Sequence, residues 1–225
     1  MAMNAALSIF RQSEVKIPCL DAVLDGDLVV PSAHAEVVVF AHGSGSSRLS
    51  PRNRMVAGEM HSRGLATLLF DLLTPEEARE EAATGLLRFN IPFLTGRLRA
   101  AARWLQTEGG LGSPRIGYFG SSTGAAAALC AAARDPAVRA VVSRGGRTDL
   151  AGDAVEQVQA PTLLIAGEFD HPVIRWNRET HERLPGPKRL EIVRGASHLF
   201  EEPHTLEQVA GLAACWFESH LADNP

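Results

Sequence analysis

A serine, an aspartate and a histidine, in that chain order and each just past a strand, can carry out nucleophilic acyl transfer. This chain holds such a set. Ser122 is the centre of Gly120-Ser121-Ser122-Thr123-Gly124, which follows an apolar run at 116–119 and precedes Ala125-Ala126-Ala127-Ala128. A buried strand, a sharp turn and a small-residue helix form a nucleophile elbow, which exposes the central hydroxyl at the strand's end. Gly120 and Gly124 suit the places where strand and helix pass too close for a side chain. The N–H groups at the helix start favour negative charge developing near Ser122. Ser121 is the rival hydroxyl, but the elbow turns the neighbour of the central residue away. The bland alternative is a glycine-rich turn of an ordinary doubly wound sheet.

A serine hydroxyl is a weak nucleophile at neutral pH and needs a base, which in turn needs an orienting carboxylate. Downstream, the apolar run 162–166 leads into Gly167-Glu168-Phe169-Asp170-His171-Pro172, and the run 190–193 leads into Arg194-Gly195-Ala196-Ser197-His198. Parallel strands bring such ends to one edge of a sheet, where open α/β folds bind ligands. Asp170 and His198 are therefore the expected acid and base. Asp149, past the preceding strand, is the competing acid. Glu168 lies early in its loop, and His171 is too near Asp170 in sequence to receive its carboxylate. His204 suits a surface or capping role, and His34, His61, His181 and His220 read as solvated.

An oxyanion hole needs two N–H donors. Thr123, directly after the nucleophile, supplies one. Ser44, in Ala41-His42-Gly43-Ser44-Gly45-Ser46-Ser47 after the run 37–40, is the candidate for the other, with Gly43 close behind. Such a turn could also cradle phosphate, but it lacks the P-loop lysine and the dinucleotide glycine spacing.

The elements that would position these residues are legible as short apolar runs at 37–40, 66–70, 116–119, 138–142, 162–166 and 190–193. Continuous runs of this length suit strands buried on both faces of a parallel sheet. The more polar stretch 14–30 suggests antiparallel edge strands. Ser50-Pro51 and Thr74-Pro75-Glu76-Glu77 place a capping residue before a proline at the first helical position. Thr205-Leu206-Glu207-Gln208 has capping-box spacing, and Pro172 opens a helix. Trp104, Trp176 and Trp216 sit at helical spacing among apolar residues and read as core.

A length of 225 residues suits one α/β domain covering 1–225. The formal charge is −4 and the basic residues are scattered, which gives no nucleic-acid face. Arg48, Arg52 and Arg54 form the densest basic group, read as a solvated face rather than an anion site. Cys19, Cys130 and Cys215 are odd in number and far apart, which suits free thiols in a reducing, cytoplasmic setting. No run approaches a membrane span, residues 1–10 lack a signal-peptide pattern, and no cluster has metal-ligand spacing. No cofactor, metal, nucleic acid or membrane is expected, and the oligomeric state stays open.

His42-Gly43-Ser44-Gly45, Gly120-x-Ser122-x-Gly124, Asp170 and Gly195-x-x-His198 together resemble the α/β-hydrolase superfamily. Within it, the chain resembles the dienelactone-hydrolase-like group, a likeness strengthened by Thr67-Leu68-Leu69-Phe70-Asp71. The resemblance implies an eight-stranded, mostly parallel sheet with helices on both faces, and hydrolysis of esters or lactones. Dienelactone hydrolase itself carries a cysteine nucleophile. Ser122 in its place implies a serine carboxylesterase instead, with a small-molecule ester as substrate.

The expected function is therefore hydrolysis of short-chain or compact aromatic esters through Ser122, His198 and Asp170. Thioesterase or lactone hydrolase activity is the near alternative. A non-catalytic small-ligand or partner-binding module is the distant one. The connection 143–160 is long enough for one crossover helix and leaves nothing over for a lid. The stretch 74–94 is the other possible cover, and Phe89 and Phe93 near its end are the candidate wall of a shallow pocket, or else core.

Overall fold

A computed structural model describes residues 11–19, 21–32 and 36–222. His34 and residues 1–10 therefore lie outside the described residues. The strands are β1 (Arg11–Pro18), β2 (Val23–Val30), β3 (Val37–Ala41), β4 (Ala66–Phe70), β5 (Ile116–Ser121), β6 (Val138–Arg144), β7 (Thr162–Gly167) and β8 (Lys188–Val193). They form one eight-stranded sheet in the order β1-β2-β4-β3-β5-β6-β7-β8. β1 pairs antiparallel with β2, and β2 antiparallel with β4; from β4 to β8 every pairing is parallel. The α/β-hydrolase-like sheet and its antiparallel edge thus agree with the pattern of apolar runs.

The central strands β3, β4, β5 and β7 are buried at every position. This is why their sequences run apolar without alternation. Two cores lie on opposite faces of the sheet. On one face α3 (Ile91–Thr107) and α4 (Thr123–Ala132) cover Val39, Leu68, Tyr118 and Val141. On the other, α1 (Pro51–Ser62) and α6 (Thr205–Leu221) cover Phe40, Leu69, Phe119 and Val142.

Helix starts largely follow the capping signals. The Ser50 hydroxyl accepts the Asn53 N–H, and Thr74 and Glu77 form a capping box at the head of α2 (Pro75–Thr84). α5 (His171–Arg183) carries Pro172 in its first turn, with Asp170 at its cap position. The capping box expected at Thr205 does not form. α6 begins one residue earlier in register, with His204 in the left-handed region at its cap and the Thr205 hydroxyl given to the Glu202 carbonyl at 2.7 Å.

Trp104 and Trp216 pack against the two cores, but Trp176 does not. It is half-buried, and the Arg147 guanidinium stacks on its ring at 4.4 Å. His61 and His220 also differ from solvated histidines. His61 Nε2 pairs with the Thr67 hydroxyl at 2.8 Å, and His220 Nδ1 donates to the Trp216 carbonyl at 2.7 Å. The β6–β7 connection is a broken 3-10 helix, Thr148–Gln157. The cover over the C-terminal edge of the sheet comes instead from α2.

Candidate active site

Ser122 joins β5 to α4 at φ 50° and ψ −120°, a backbone conformation that is costly for a residue with a side chain. Three bonds hold it there. Its N–H donates to the Arg144 carbonyl at 3.1 Å, and its carbonyl accepts the Arg147 N–H at 3.0 Å and the Ala125 N–H at 3.1 Å. The Ser122 hydroxyl does not cap α4, which leaves it available for chemistry. A Cβ at Gly120 would lie 2.4 Å from Ala125 Cα, and one at Gly124 would lie 2.2 Å from the Ala41 carbonyl oxygen. The glycine spacing is therefore a packing requirement of the turn. Ser121 is buried and its hydroxyl donates to Asn53 Oδ1 at 3.3 Å.

β7 and β8 end beside this turn. His198 Nδ1 lies 2.6 Å from Asp170 Oδ2. With that proton given to the carboxylate, Nε2 of a neutral imidazole is left as an acceptor. A Cβ placed on Gly145 would lie 3.4 Å from both Nδ1 and Cε1 of His198. The turn that follows β6 therefore touches the imidazole at Gly145 and bonds Ser122 through Arg147. The competing acid, Asp149, is occupied: Arg147 donates to it from Nε at 2.9 Å and from Nη2 at 2.8 Å. Glu168 accepts the Gly195 N–H at 2.7 Å.

The two proposed oxyanion residues meet across the gap between β3 and α4, where Ser44 Oγ is 3.1 Å from Thr123 Oγ1. In the sequence, His42 is legible only as part of a motif. The structure gives it a definite task. His42 is buried; its Nε2 accepts the Leu72 N–H at 3.0 Å, and its Nδ1 donates to the Gly43 carbonyl at 3.0 Å. That carbonyl shares a peptide plane with the Ser44 N–H, so His42 ties the direction of the proposed donor to the end of β4. Burial holds the His42 imidazole below its ordinary range, while the Gly43 bond and Asp71 oppose this. The missed signal was a histidine next to a strand end, where both ring nitrogens need partners once buried.

A cavity of about 230 Å³ opens against Ser44 and Thr123. Its apolar wall is Leu72 and Leu73 before α2, Ala78 and Ala82 on α2, Leu87 after it and Leu94 on α3. Neither of the expected wall residues lines this cavity. Phe89 is 53% exposed, with its ring 5.8 Å from the Arg147 guanidinium, outside this lining. Phe93 is not part of the wall either. It packs half-buried against the core, the alternative to a pocket wall; Arg97 stacks on it at 4.6 Å, and it lines a separate groove with Cys19 and Asp21. The reason is helical phase: α3 starts at Ile91 and points Ile91, Leu94 and Leu98 inward, which leaves Phe93 on its flank. Among the described residues, no three His, Cys, Asp or Glu side chains gather as a metal cluster. Nor is any helix long and apolar enough to cross a membrane.

The profile of the dienelactone hydrolase family matches residues 25–215. The chain belongs to that family. A crystal structure of dienelactone hydrolase from Anabaena variabilis is 51% identical, with a TM-score of 0.92 over 94% of this chain and 99% of that one. Est1E from Butyrivibrio proteoclasticus shares the fold, with a TM-score of 0.78 over 93% of this chain at 14% identity. A putative phosphoribosyl transferase of Mycobacterium tuberculosis is 54% identical over 213 residues, which are 94% of this chain and 47% of that protein. The chain thus spans about half the length of such curated relatives.

Proposed function

We propose that this member of the dienelactone hydrolase family is a serine carboxylic-ester hydrolase that works through an acyl-enzyme. The observation that carries the reading is the strained, uncapped Ser122, bonded to the turn after β6, whose Gly145 lies beside the imidazole of the His198–Asp170 pair. Ser122 Oγ attacks the ester carbonyl, and His198 Nε2 takes its proton and passes it to the leaving alcohol. Asp170 orients the imidazole and stabilises its cationic form. The N–H groups of Ser44 and Thr123 hold the oxyanion. Water then attacks the acyl-enzyme by the same route, with His198 again accepting the proton.

The cavity beside Ser44 supports a compact acyl group. About 230 Å³ of apolar space accommodates a short chain or one ring, not a long fatty acyl chain. A lactone is the second reading, favoured by the family and by the enzyme from Anabaena variabilis, since an internal ester meets the same machinery. The three cysteines are free, which supports a reducing, cytoplasmic setting. The deciding experiment is a panel of p-nitrophenyl esters from acetyl to palmitoyl with a lactone and a thioester, on wild type and Ser122→Ala. Turnover should peak at short chains and vanish in the variant. No turnover of any acyl substrate would favour a ligand-binding module.

A further inference from the structure

The helix α2 walls the acyl cavity, yet it places no residue in either core. The residue it buries is a glutamate, Glu81. Glu81 and Arg88 both line the cavity, among Ala78, Ala82, Leu87 and Leu94. The Glu81 carboxylate has two partners, both in the segment that follows the helix. Its Oε2 accepts the Leu87 N–H at 2.6 Å, and its Oε1 accepts from Nε of Arg88. The Glu81 backbone carbonyl takes two more donors there, Nη2 of Arg88 at 3.2 Å and the Gly85 N–H at 2.8 Å. Gly85 lets the chain turn back in this way, because it sits in the left-handed region at φ 67°. Burial raises the Glu81 carboxyl, but the Leu87 N–H and the Arg88 guanidinium outweigh it and hold the group below its ordinary range. Glu81 is therefore a carboxylate at neutral pH.

A buried ion pair is a costly way to build a wall that apolar side chains could build, and its best use is to fix one arrangement of what it joins. We propose that Glu81 is the positioning residue of the acyl cavity: by holding Leu87 and Arg88 in the wall, it sets the length of acyl chain that the site accepts. This rests on the hydrolase reading. Leu86 is 70% exposed and Phe89 53% exposed, so the segment has little apolar packing of its own to keep Leu87 in place. Replacing Glu81 by glutamine keeps the size of the side chain but not its bonding. An amide offers one acceptor oxygen, and its NH2 group would face one of the two donors, the Leu87 N–H or Arg88 Nε. The segment must then give way, and the cavity loses its boundary at Leu87.

The test is steady-state hydrolysis of p-nitrophenyl esters from acetyl to decanoyl by the whole chain. Wild type should favour butyryl over octanoyl. Glu81→Gln should lower that ratio of kcat/KM about tenfold, the size of one lost charge-assisted bond. The loss on butyryl should fall on KM rather than kcat, because Glu81 shapes acyl binding and does not reach the reacting atoms. Arg88→Met should give the same shift and Arg88→Lys a smaller one. The double variant should shift no further than either single one, because both substitutions break one coupled pair. Should Glu81→Gln not fold, Arg88→Met carries the test, since that side chain is partly exposed. A pair that only stabilises the fold would lower the unfolding temperature and leave the butyryl-to-octanoyl ratio as in wild type. That result, additive effects of the two substitutions, or no length preference in wild type overturns the proposal. Methyl ketones from 2-butanone to 2-decanone, with binding read by thermal unfolding, ask the same question without turnover. If wild type hydrolyses no ester, the hydrolase reading falls and the ketone series decides. A length limit that Glu81→Gln relaxes upholds the role of Glu81, and a limit left in place overturns it.

Discussion

At the scale of single residues, the proposed chemistry concentrates in four side chains. Ser122→Ala should lower kcat by on the order of a million-fold, as in other serine triads. A fluorophosphonate label found on Ser121 instead, by peptide mass spectrometry, would reverse the assignment. Asp170→Asn should cost roughly four orders of magnitude, because the histidine loses the carboxylate that fixes its tautomer. Asp149→Asn should cost far less, since Asp149 is bound to Arg147; steady-state kinetics on the two variants rank them. His42 is a positioning residue. Its replacement by Phe frees the Gly43–Ser44 peptide plane and should lower kcat by about 10²–10³, the effect of losing one oxyanion donor, with little change in KM. A rise in KM at constant kcat would assign His42 to binding instead.

At the scale of elements, the strand–turn–helix from β5 to α4 depends on backbone proximity. Gly124→Ala would drive a Cβ to 2.2 Å from the Ala41 carbonyl oxygen, a contact that can be relieved only by moving β3 or α4. The expected loss is about 1–3 kcal/mol or more, read as a lower denaturation midpoint in urea. α2 has a different task. It and the segment after it wall the cavity through Ala78, Ala82 and Leu87. Leu87→Ala should enlarge the acyl space and shift the preferred ester toward longer chains. Each methylene newly buried is worth at most about 0.8 kcal/mol, or roughly fourfold in kcat/KM. An unchanged chain-length profile would place the acyl group elsewhere.

At the scale of the whole molecule, two partly or fully buried histidines make stability depend on pH. Burial lowers both His42 and His61 below the ordinary imidazole range. The folded state therefore keeps them neutral at pH values where the unfolded chain has begun to bind protons. Their contribution is fully present above about pH 6.5 and is lost as pH falls from there through the folded-state values. Urea midpoints should fall between about pH 7 and pH 5. His61→Gln should flatten part of that slope, and an unchanged slope in that variant would remove His61 from the effect.

The sequence by itself determined the sheet and the order of its parts. Uninterrupted apolar runs mark strands covered on both faces, and Ser50 and Thr74 mark helix starts, because capping and burial are local demands that residue type answers directly. The candidates Ser122, Asp170 and His198 were legible for the same reason: each follows such a run. What only the tertiary structure decided were the pairings across the chain. Asp149 is spent on Arg147, His42 joins the β4 end to the Gly43 peptide, and Trp176 stacks under Arg147 rather than in the core. Phe93 could not be told from a pocket residue without the phase of α3, which its start at Ile91 sets. Partners distant in sequence are chosen by packing, and packing is a property of the folded whole.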